Sequence, residues 1–136
     1  MASHRILIVE DEIFVAMDIE RILVDAGYHV TAIAADRDEA LAAAKEAEIA
    51  FVDLNLRDGP TGPTLARELA EQGIRIMYVT ANPSQIQKPA PTAIGYIHKP
   101  FDEPAILTAA ALLSNQDHSY PVSSAVVRFD PSHPVH

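Results

Sequence analysis

Six polar residues directly follow short apolar runs at four separate places in this sequence. They are Glu10, Asp11, Glu12, Asp53, Thr80 and Lys99. If the runs form a parallel sheet, their carboxyl ends lie at the edge where open α/β sheets bind ligands. Carboxylates that meet at this edge repel one another, and their pKa values rise unless a cation neutralises the charge. The pattern therefore predicts a divalent cation beside the carboxylates.

The residue types narrow the choice of cation and of reaction. Oxygen ligands without cysteine or paired histidine favour magnesium or calcium over zinc, and a site with few protein ligands, which leaves waters for a phosphate, suits Mg²⁺. A carboxylate, a bound metal, a lysine and a hydroxyl are the parts that phosphoryl transfer to a carboxylate requires. Lys99 and Thr80 are the candidates for the lysine and the hydroxyl. Glu12 is interpreted as an acid of the first turn of a helix.

Five apolar runs are predicted to be the strands that position these residues. They are RILIVE (5–10), YHVTAIA (28–34), EIAFVD (48–53), IRIMYVT (74–80) and GYIHK (95–99). Segments of helical character alternate with them, and two of these segments end in Gly27 and Gly73, which suit helix C-termini. Strict alternation predicts an α/β fold with a doubly wound parallel sheet, buried on both faces and joined by right-handed crossovers.

One segment breaks this alternation. NPSQIQKPAPTA (82–93) lies where a fourth helix is expected between two strands. Pro83, Pro89 and Pro91 interrupt it, and proline inside a helix costs about 3 kcal/mol. We therefore expect one or two helical turns followed by a loop.

The C-terminal segment is predicted to be an appendage of a single domain that spans residues 1–115. Residues 116–136 carry three prolines and one apolar island, Ala125 to Phe129. The preceding helix, EPAILTAAALLSN (103–115), is more apolar than a surface helix needs, so another surface should cover it. The hypothesis is a homodimer through this helix and the tail, with the island as an arm or added strand on the partner. A disordered tail is the alternative.

Composition excludes several classes of protein. The 136 residues include no cysteine, which excludes disulfides, thiolate metal sites and cysteine nucleophiles. The net charge of −9, with few and scattered basic residues, argues against direct binding to nucleic acid or to an anionic membrane. No apolar run reaches the roughly 18 residues of a membrane span, and the N-terminal run is too short for a secretory signal. We therefore expect a cytoplasmic protein.

Missing motifs argue against some other classes of enzyme. The sequence has neither a GxxxxGK[ST] phosphate loop nor a GxGxxG after the first strand, so the usual markers of nucleotide hydrolysis and dinucleotide binding are absent. A phosphatase that forms an aspartyl phosphate would need a second acid two residues after Asp53, where this chain has Asn55. This difference favours an acceptor that keeps its phosphate. We expect no enzymatic activity beyond self-directed phosphoryl transfer and slow autodephosphorylation.

Four motifs together resemble the receiver domain of bacterial two-component response regulators. ILIVEDE, FVDLNLRDG, YVTAN and GYIHKPF occur in that family's order, and the resemblance covers about residues 4 to 115. Receiver domains of that family have the flavodoxin-like α/β fold, which is a doubly wound five-stranded parallel sheet of strand order 2-1-3-4-5. The resemblance therefore implies this order for the predicted strands.

The resemblance also implies a role for each acid. Asp53 matches the phosphoacceptor, which takes its phosphoryl group from a sensor histidine kinase. Asp11 matches the direct Mg²⁺ ligand, and Glu10 matches the acid that reaches the metal largely through water. Asn55 would offer its backbone carbonyl to the same ion, alongside Asp53. Asn55 and Asn82 flank the site where attacking water would enter, so they are expected to tune the lifetime of the phosphate.

A switch is implied at the ends of the last two strands of the parallel sheet. Thr80 matches the hydroxyl that moves towards the acyl phosphate, and Lys99 matches the lysine that pairs with it. Tyr96 matches the aromatic residue that turns inward when Thr80 moves. The Lys99–Pro100 peptide bond would be cis.

The function predicted from these observations is that of a single-domain response regulator. Phosphorylation of Asp53 would change a protein-interaction surface, because added charge at one point can bias a two-state surface elsewhere. The predicted partners are a sensor histidine kinase and either a histidine phosphotransfer protein or a downstream protein target. The alternative is a pseudo-receiver that binds partners constitutively without phosphorylation. The intact acids, threonine and lysine argue against this alternative, because a binding module has no need of a repulsive carboxylate cluster.

Overall fold

The structure is a computed structural model that describes residues 4–114 and 125–129. Its strands are β1 (Arg5–Val9), β2 (His29–Ala34), β3 (Ile49–Val52), β4 (Arg75–Thr80), β5 (Ala93–His98) and β6 (Val126–Arg128). Its α-helices are α1 (Ile13–Asp25), α2 (Arg37–Ala43), α3 (Gly62–Glu71) and α4 (Glu103–Leu113). The five predicted strands and four predicted helices are all present. No helix in the described residues is long and apolar enough to span a lipid bilayer.

The first five strands form a parallel sheet in the order β2-β1-β3-β4-β5, which confirms the predicted order. Alternate side chains of β1 enter two different cores, because successive residues of a strand point to opposite faces. Ile6 and Ile8 belong to the core that includes residues of α1 and α4, whereas Leu7 and Val9 belong to the core that includes residues of α2 and α3. All four residues of β3 are buried. The central strands thus provide a rigid frame for the residues that follow them.

The connection between β4 and β5 contains a single 3₁₀ turn, Pro83–Gln85, within the described residues 81–92. This confirms the prediction of a short turn followed by a loop. The loop is held against the sheet where the Tyr78 hydroxyl accepts a hydrogen bond from the Ala90 N–H at 2.9 Å. On the face of the sheet away from α4, a loop rather than a further helix therefore lies against β4.

A sixth strand was not among the predicted strands of this chain's sheet. β6 pairs antiparallel with β5 of the same chain, whereas the apolar island had been expected to reach across to a partner. Val126 of this strand is buried in the core that includes α4. The apolar surface of α4 is thus covered at least in part from within the chain. The other parts of the predicted tail, residues 116–124 and 130–136, lie outside the described residues, as does Asn115 at the end of the predicted helix.

Candidate functional site

The carboxyl ends of β1 and β3 bring two buried acids to one crevice. The Asp53 N–H donates to the Val9 carbonyl at 2.9 Å, and the Glu10 N–H donates to the Ala34 carbonyl at 2.8 Å. Backbone pairing therefore continues to the residues that carry the carboxylates. Glu10 is 2% exposed and Asp53 is 5% exposed. Water solvates these two carboxylates poorly, so they depend on partners within the crevice.

Three acids form a cluster that fits a divalent cation. One oxygen each of Glu10, Asp11 and Asp53 lies within 4.8 Å of the others. Asp11 is exposed, so the cluster opens to solvent on one side. A small set of oxygen donors with room for water is what Mg²⁺ prefers in proteins. These three residues would hold the ion.

Lys99 joins this cluster from the end of β5. Its Nζ lies 2.7 Å from Glu10 Oε1 and 3.0 Å from Asp53 Oδ2. The exposed carboxylate of Glu12 is also near, with Oε1 at 3.4 Å from the same nitrogen. Glu12 had been interpreted only as a helix acid, and it does lie at the N-terminus of α1. In the structure it also forms the outermost ion pair of the lysine.

The electrostatics of the crevice follow from burial and from this sharing of one lysine. Burial, the largest cause, and the nearby charge of Asp53 together raise the pKa of Glu10 to about 7 against the opposing effect of Lys99. Burial alone would lower the pKa of Lys99, but hydrogen bonds with Glu10 and Asp53 raise it above its ordinary value. One cation therefore serves two buried acids, and the site has an excess of negative charge that a metal ion can neutralise.

We predict that, without divalent cations, the free energy of unfolding falls as pH rises from about 4.5 to about 7. The folded chain keeps the Glu10 proton up to about pH 7, whereas the unfolded chain releases it near 4.5, so the stabilisation present at low pH is lost over this interval. Thermal unfolding across this range measures the effect. Glu10→Gln should flatten the pH dependence.

The protonation state of Glu10 should also control the binding of Mg²⁺. MgCl₂ should raise the melting temperature at about pH 8 more than at about pH 5, because a protonated carboxyl is a poor ligand and only ions that bind the folded state stabilise it. A melting temperature that MgCl₂ leaves unchanged at about pH 8 would contradict a metal site in this crevice.

The hydroxyl of Thr80 has a partner in the loop that follows β4. Thr80 is fully buried, and its Oγ1 accepts a hydrogen bond from the Asn82 N–H at 2.9 Å. Its carbonyl accepts the Lys99 N–H at 2.8 Å, which links the ends of β4 and β5. The peptide bond that follows Lys99 is cis, as the resemblance implies. Because Oγ1 is the acceptor in its hydrogen bond with the Asn82 N–H, the Thr80 O–H can still donate a hydrogen bond to another group.

Tyr96 lies on β5 and is half-buried. It is paired with Tyr78 across β4 and β5, and its ring centroid is 6.1 Å from that of Phe129, just after β6. Phe129 also meets the ring of Tyr78 edge-on, with centroids 6.2 Å apart. The three aromatic rings form one group beside the ends of β4 and β5. The contact between Phe129 and Tyr96 was not expected from the sequence, because it depends on the position of β6.

Asn55, the predicted carbonyl ligand, lies beside Asp53 and is held by a partner that the sequence analysis missed. The Asn55 N–H donates to Asp53 Oδ1 at 3.2 Å. The Asn55 side-chain amide donates to Gln85 Oε1 at 2.9 Å, and the Gln85 amide donates back to Asn55 Oδ1 at 3.2 Å. This reciprocal pair ties the segment after β3 to the 3₁₀ turn between β4 and β5.

Gly62 was also missed, although it shapes the backbone around Asp53. A Cβ at Gly62 would overlap the backbone of Asp53 and Leu54. Its N–H donates to the Leu54 carbonyl at 3.1 Å, so the start of α3 packs directly against the segment that carries the acid. A glycine at the start of a helix, immediately before a proline, was the available signal. Only glycine permits this close approach.

An exposed apolar surface borders the crevice on the side of α1. Phe14 is 83% exposed, and Ile13 and Met17 are also more than half exposed. Phe14 lines an open cleft of about 620 Å³ together with Val15, Phe101 and Lys99. The cleft therefore runs from an apolar helix face to the lysine that contacts Asp53. Exposed aromatic surface next to a reactive group is typical of a protein-docking region.

Comparison with known proteins identifies close similarity to one family. The family model described as the response regulator receiver domain matches residues 6–111. A curated relative, the phyllosphere-induced regulator PhyR of Methylorubrum extorquens, is 32% identical over 114 residues, which are 79% of this chain and 42% of that protein. The chain thus spans less than half the length of this curated relative.

Solved structures give the same result. The solution structure of the PhyR receiver domain of Erythrobacter litoralis is 26% identical, with a TM-score of 0.76 over 90% of this chain and 98% of that one. A CheY-like receiver domain protein of Methanospirillum hungatei is 27% identical, with a TM-score of 0.70 over 85% of this chain and 97% of that one. Both similarities cover nearly all of the solved domains, so the fold and the family agree.

Proposed function

This chain belongs to the family of response regulator receiver domains, and from that premise we propose that Asp53 accepts a phosphoryl group from a phosphohistidine of a sensor histidine kinase. The observation that carries the proposal is the surroundings of one buried carboxylate. Asp53 contacts Lys99 and lies within 4.8 Å of carboxylate oxygens of Glu10 and Asp11. Burying the carboxylates of Glu10 and Asp53 around one lysine is costly for a fold, which supports a chemical role rather than a packing role.

The transfer would exchange one bond to phosphorus for another. A carboxylate oxygen of Asp53 forms a bond to phosphorus as the bond between phosphorus and the donor nitrogen breaks, and the electron pair stays with the leaving imidazole. The Lys99 ammonium group, 3.0 Å from Asp53 Oδ2, would then pair with a phosphoryl oxygen. A bound Mg²⁺ would supply neutralising charge for the oxygens that approach one another. Any catalysis is self-directed, with slow autodephosphorylation.

The phosphoryl group would act as a signal through the ends of β4 and β5. Its oxygens would accept a hydrogen bond from the Thr80 O–H and draw this hydroxyl, whose oxygen now accepts the Asn82 N–H at 2.9 Å, towards Asp53. Movement of Thr80 would allow Tyr96, half-buried on the neighbouring strand, to turn inward. The surface beside β5 and the β4–β5 loop would then change, and a downstream protein or a histidine phosphotransfer protein would read the change.

The phosphodonor protein is proposed to dock on the apolar surface of α1. Phe14 is almost fully exposed and lines the same open cleft as Lys99. A partner that covers this ring would bring a phosphohistidine close to Asp53. Large aromatic residues that become buried on binding often dominate the affinity of an interface.

We predict that Phe14→Asp slows phosphoryl transfer from a phosphorylated histidine kinase by about 10-fold or more, because a charge replaces the aromatic contact. Labelling by acetyl phosphate should be unchanged, since that donor needs no docking surface. Transfer rates measured with both donors test the prediction. Val24→Asp, at the far end of α1 and 52% exposed, is the matched control and should leave both rates unchanged. Equal slowing by the two variants would argue against a docking role for Phe14.

Mass spectrometry tests the phosphoacceptor proposal directly. The protein is incubated with acetyl phosphate, with and without MgCl₂, and the modified residue is mapped by peptide. The expected result is one phosphoryl group on Asp53 that appears only with MgCl₂. An unmodified protein under all these conditions would favour the phosphorylation-independent pseudo-receiver.

Homodimerisation through α4 and the tail stays a prediction. Ile106 and Leu113 of α4 are fully buried within the chain, whereas Leu107 and Leu112 are half-buried and remain available for a second copy. Light scattering of the full chain would test it, and a mass of one chain, with or without phosphorylation, would contradict it.

A further inference from the structure

The edge of β5 is occupied by a strand from the same chain. β6 runs antiparallel to it with Ile97 opposite Val126 and Gly95 opposite Arg128. The pairing continues past the strand, because the Phe129 N–H donates to the Ile94 carbonyl at 2.8 Å. Without β6, the described part of the sheet would end at β5 with unpaired backbone groups. Such an edge is a binding surface for extended segments of protein.

This edge is shaped to receive a backbone. A Cβ at Gly95 would overlap the carbonyl oxygen of Val127 and crowd Arg128. Glycine inside a strand often marks a place where another backbone approaches closely. The bare Cα of Gly95 therefore allows β6 to lie at its observed position. Any longer side chain at this residue would exclude the strand.

Two large apolar side chains, Val126 and Phe129, anchor β6 to the rest of the domain, and the small side chain of Ala125 also packs on the α4 core. Val126 is 6% exposed and packs into the core that includes α4, and Phe129 contacts the rings of Tyr96 and Tyr78. Val127, between them, is 41% exposed. A strand of three residues with two apolar anchors can be released without unfolding the sheet, because elements with few buried contacts open locally.

One of the two anchors rests on the aromatic group beside the phosphorylation site. Tyr96 and Tyr78 are opposite each other on β5 and β4, and Thr80, two residues after Tyr78, is opposite His98. A rearrangement at Thr80 and Tyr96 would therefore move the surface on which the Phe129 ring lies. Binding of β6 to the edge of β5 and phosphorylation of Asp53 are then linked. Phosphorylation changes the stability of the bound strand, and loss of the strand changes the site by the same free energy.

We propose that β6 is a releasable occupant of a strand-docking surface on β5, held in the unphosphorylated chain and released when Asp53 is phosphorylated. The proposal rests on the function proposed above, since Tyr96 must respond to the phosphate. Release uncovers the backbone groups of β5 and the rings of Tyr78 and Tyr96. The partner that fits this surface is an extended antiparallel segment with a β-branched residue and, three residues later, an aromatic residue, the pattern of β6 itself.

Amide hydrogen exchange on the full chain tests the proposal, with acetyl phosphate and MgCl₂ to phosphorylate it and mass spectrometry to establish the modified fraction. Exchange at residues 126–129 is expected to accelerate about 10-fold or more on phosphorylation, within the range of coupling between linked sites. Phosphorylated protein with unchanged exchange at these residues would overturn the proposal and leave the phosphoacceptor function standing. Absence of phosphorylation would overturn both.

Variants test the reverse direction of the linkage. Beryllofluoride with MgCl₂ serves as a mimic of the phosphoryl group on Asp53. Phe129→Ala removes one anchor of β6 and should increase the affinity for this mimic about 5-fold or more, because its binding no longer has to displace β6. Val127→Ala, on the same strand but exposed, is the control and should leave this affinity unchanged. Gly95→Ala should act like Phe129→Ala through steric exclusion. Equal affinities for the wild-type chain and Phe129→Ala would overturn the proposal.

Light scattering under the same conditions distinguishes release of β6 from its transfer to β5 of a second copy of the chain. Release of β6 within each chain requires faster exchange at residues 126–129, whatever the mass. A phosphorylated species of twice the mass, with those residues still protected, would mean that β6 has passed to a second copy. That result would overturn release as the response to phosphorylation.

Discussion

Replacing Asp53 with asparagine is expected to abolish phosphorylation by acetyl phosphate, with a loss of at least about 100-fold, because an amide oxygen is a poor nucleophile towards phosphorus. The chain should remain at least as stable as the wild type. The substituted side chain can still accept the Asn55 N–H through its amide oxygen, and it lacks the negative charge that raises the pKa of Glu10. Labelling followed by mass spectrometry gives the first result, and thermal unfolding at about pH 8 gives the second.

Asp58→Asn is the matched control for this substitution. Asp58 is an exposed acid on the same segment after β3, and it accepts hydrogen bonds from Thr61 and Arg37 rather than facing the crevice. Its substitution should leave the extent of labelling unchanged. Labelling of Asp53→Asn at the wild-type rate, on any residue, would remove Asp53 from the role of phosphoacceptor.

Replacing Lys99 with alanine should lower the free energy of unfolding by about 2–4 kcal/mol at about pH 8 without divalent cations, since removing one partner leaves buried charges uncompensated. Both Glu10 and Asp53 lose the cation that lies within 3.0 Å of them. The loss should be smaller at about pH 5, where Glu10 is protonated, and smaller with MgCl₂, which neutralises the same acids. Urea unfolding at the two pH values, with and without MgCl₂, measures these differences.

The same variant should slow labelling by acetyl phosphate by about 10-fold or more, because a preorganised charge beside the transferring group is lost. Lys99→Arg should restore much of the stability but less of the rate, since the guanidinium group keeps the charge and alters its geometry. Lys88→Ala, an exposed lysine on the β4–β5 loop, should change neither quantity. A Lys99→Ala chain as stable as the wild type at about pH 8 without MgCl₂ would show that the lysine is not the counter-ion of the buried acids.

The sequence was sufficient for the fold and for the approximate location of the site. Short apolar runs with polar residues at their ends identify the strands and the residues that leave them, because a buried parallel strand must be apolar along its length. Parallel strands end at one edge, so Glu10, Asp53 and Lys99 could be expected to meet there before any distance was known. The prolines between residues 82 and 93 likewise determined the short turn, since their effect on a helix is local.

Contacts between distant segments depended on the tertiary structure. Gln85 as the partner of Asn55, and Glu12 as a third acid near Lys99, follow from the positions of loops whose local sequence has no strong preference. The island before residue 130 illustrates the reason most clearly. Its apolar pattern determines that it pairs with some strand edge, but its own β5 and a partner's β5 present the same backbone groups, so local sequence does not distinguish them. Val126 packs on the α4 core and Phe129 packs on Tyr96, and these contacts determine that the island pairs with β5 of its own chain.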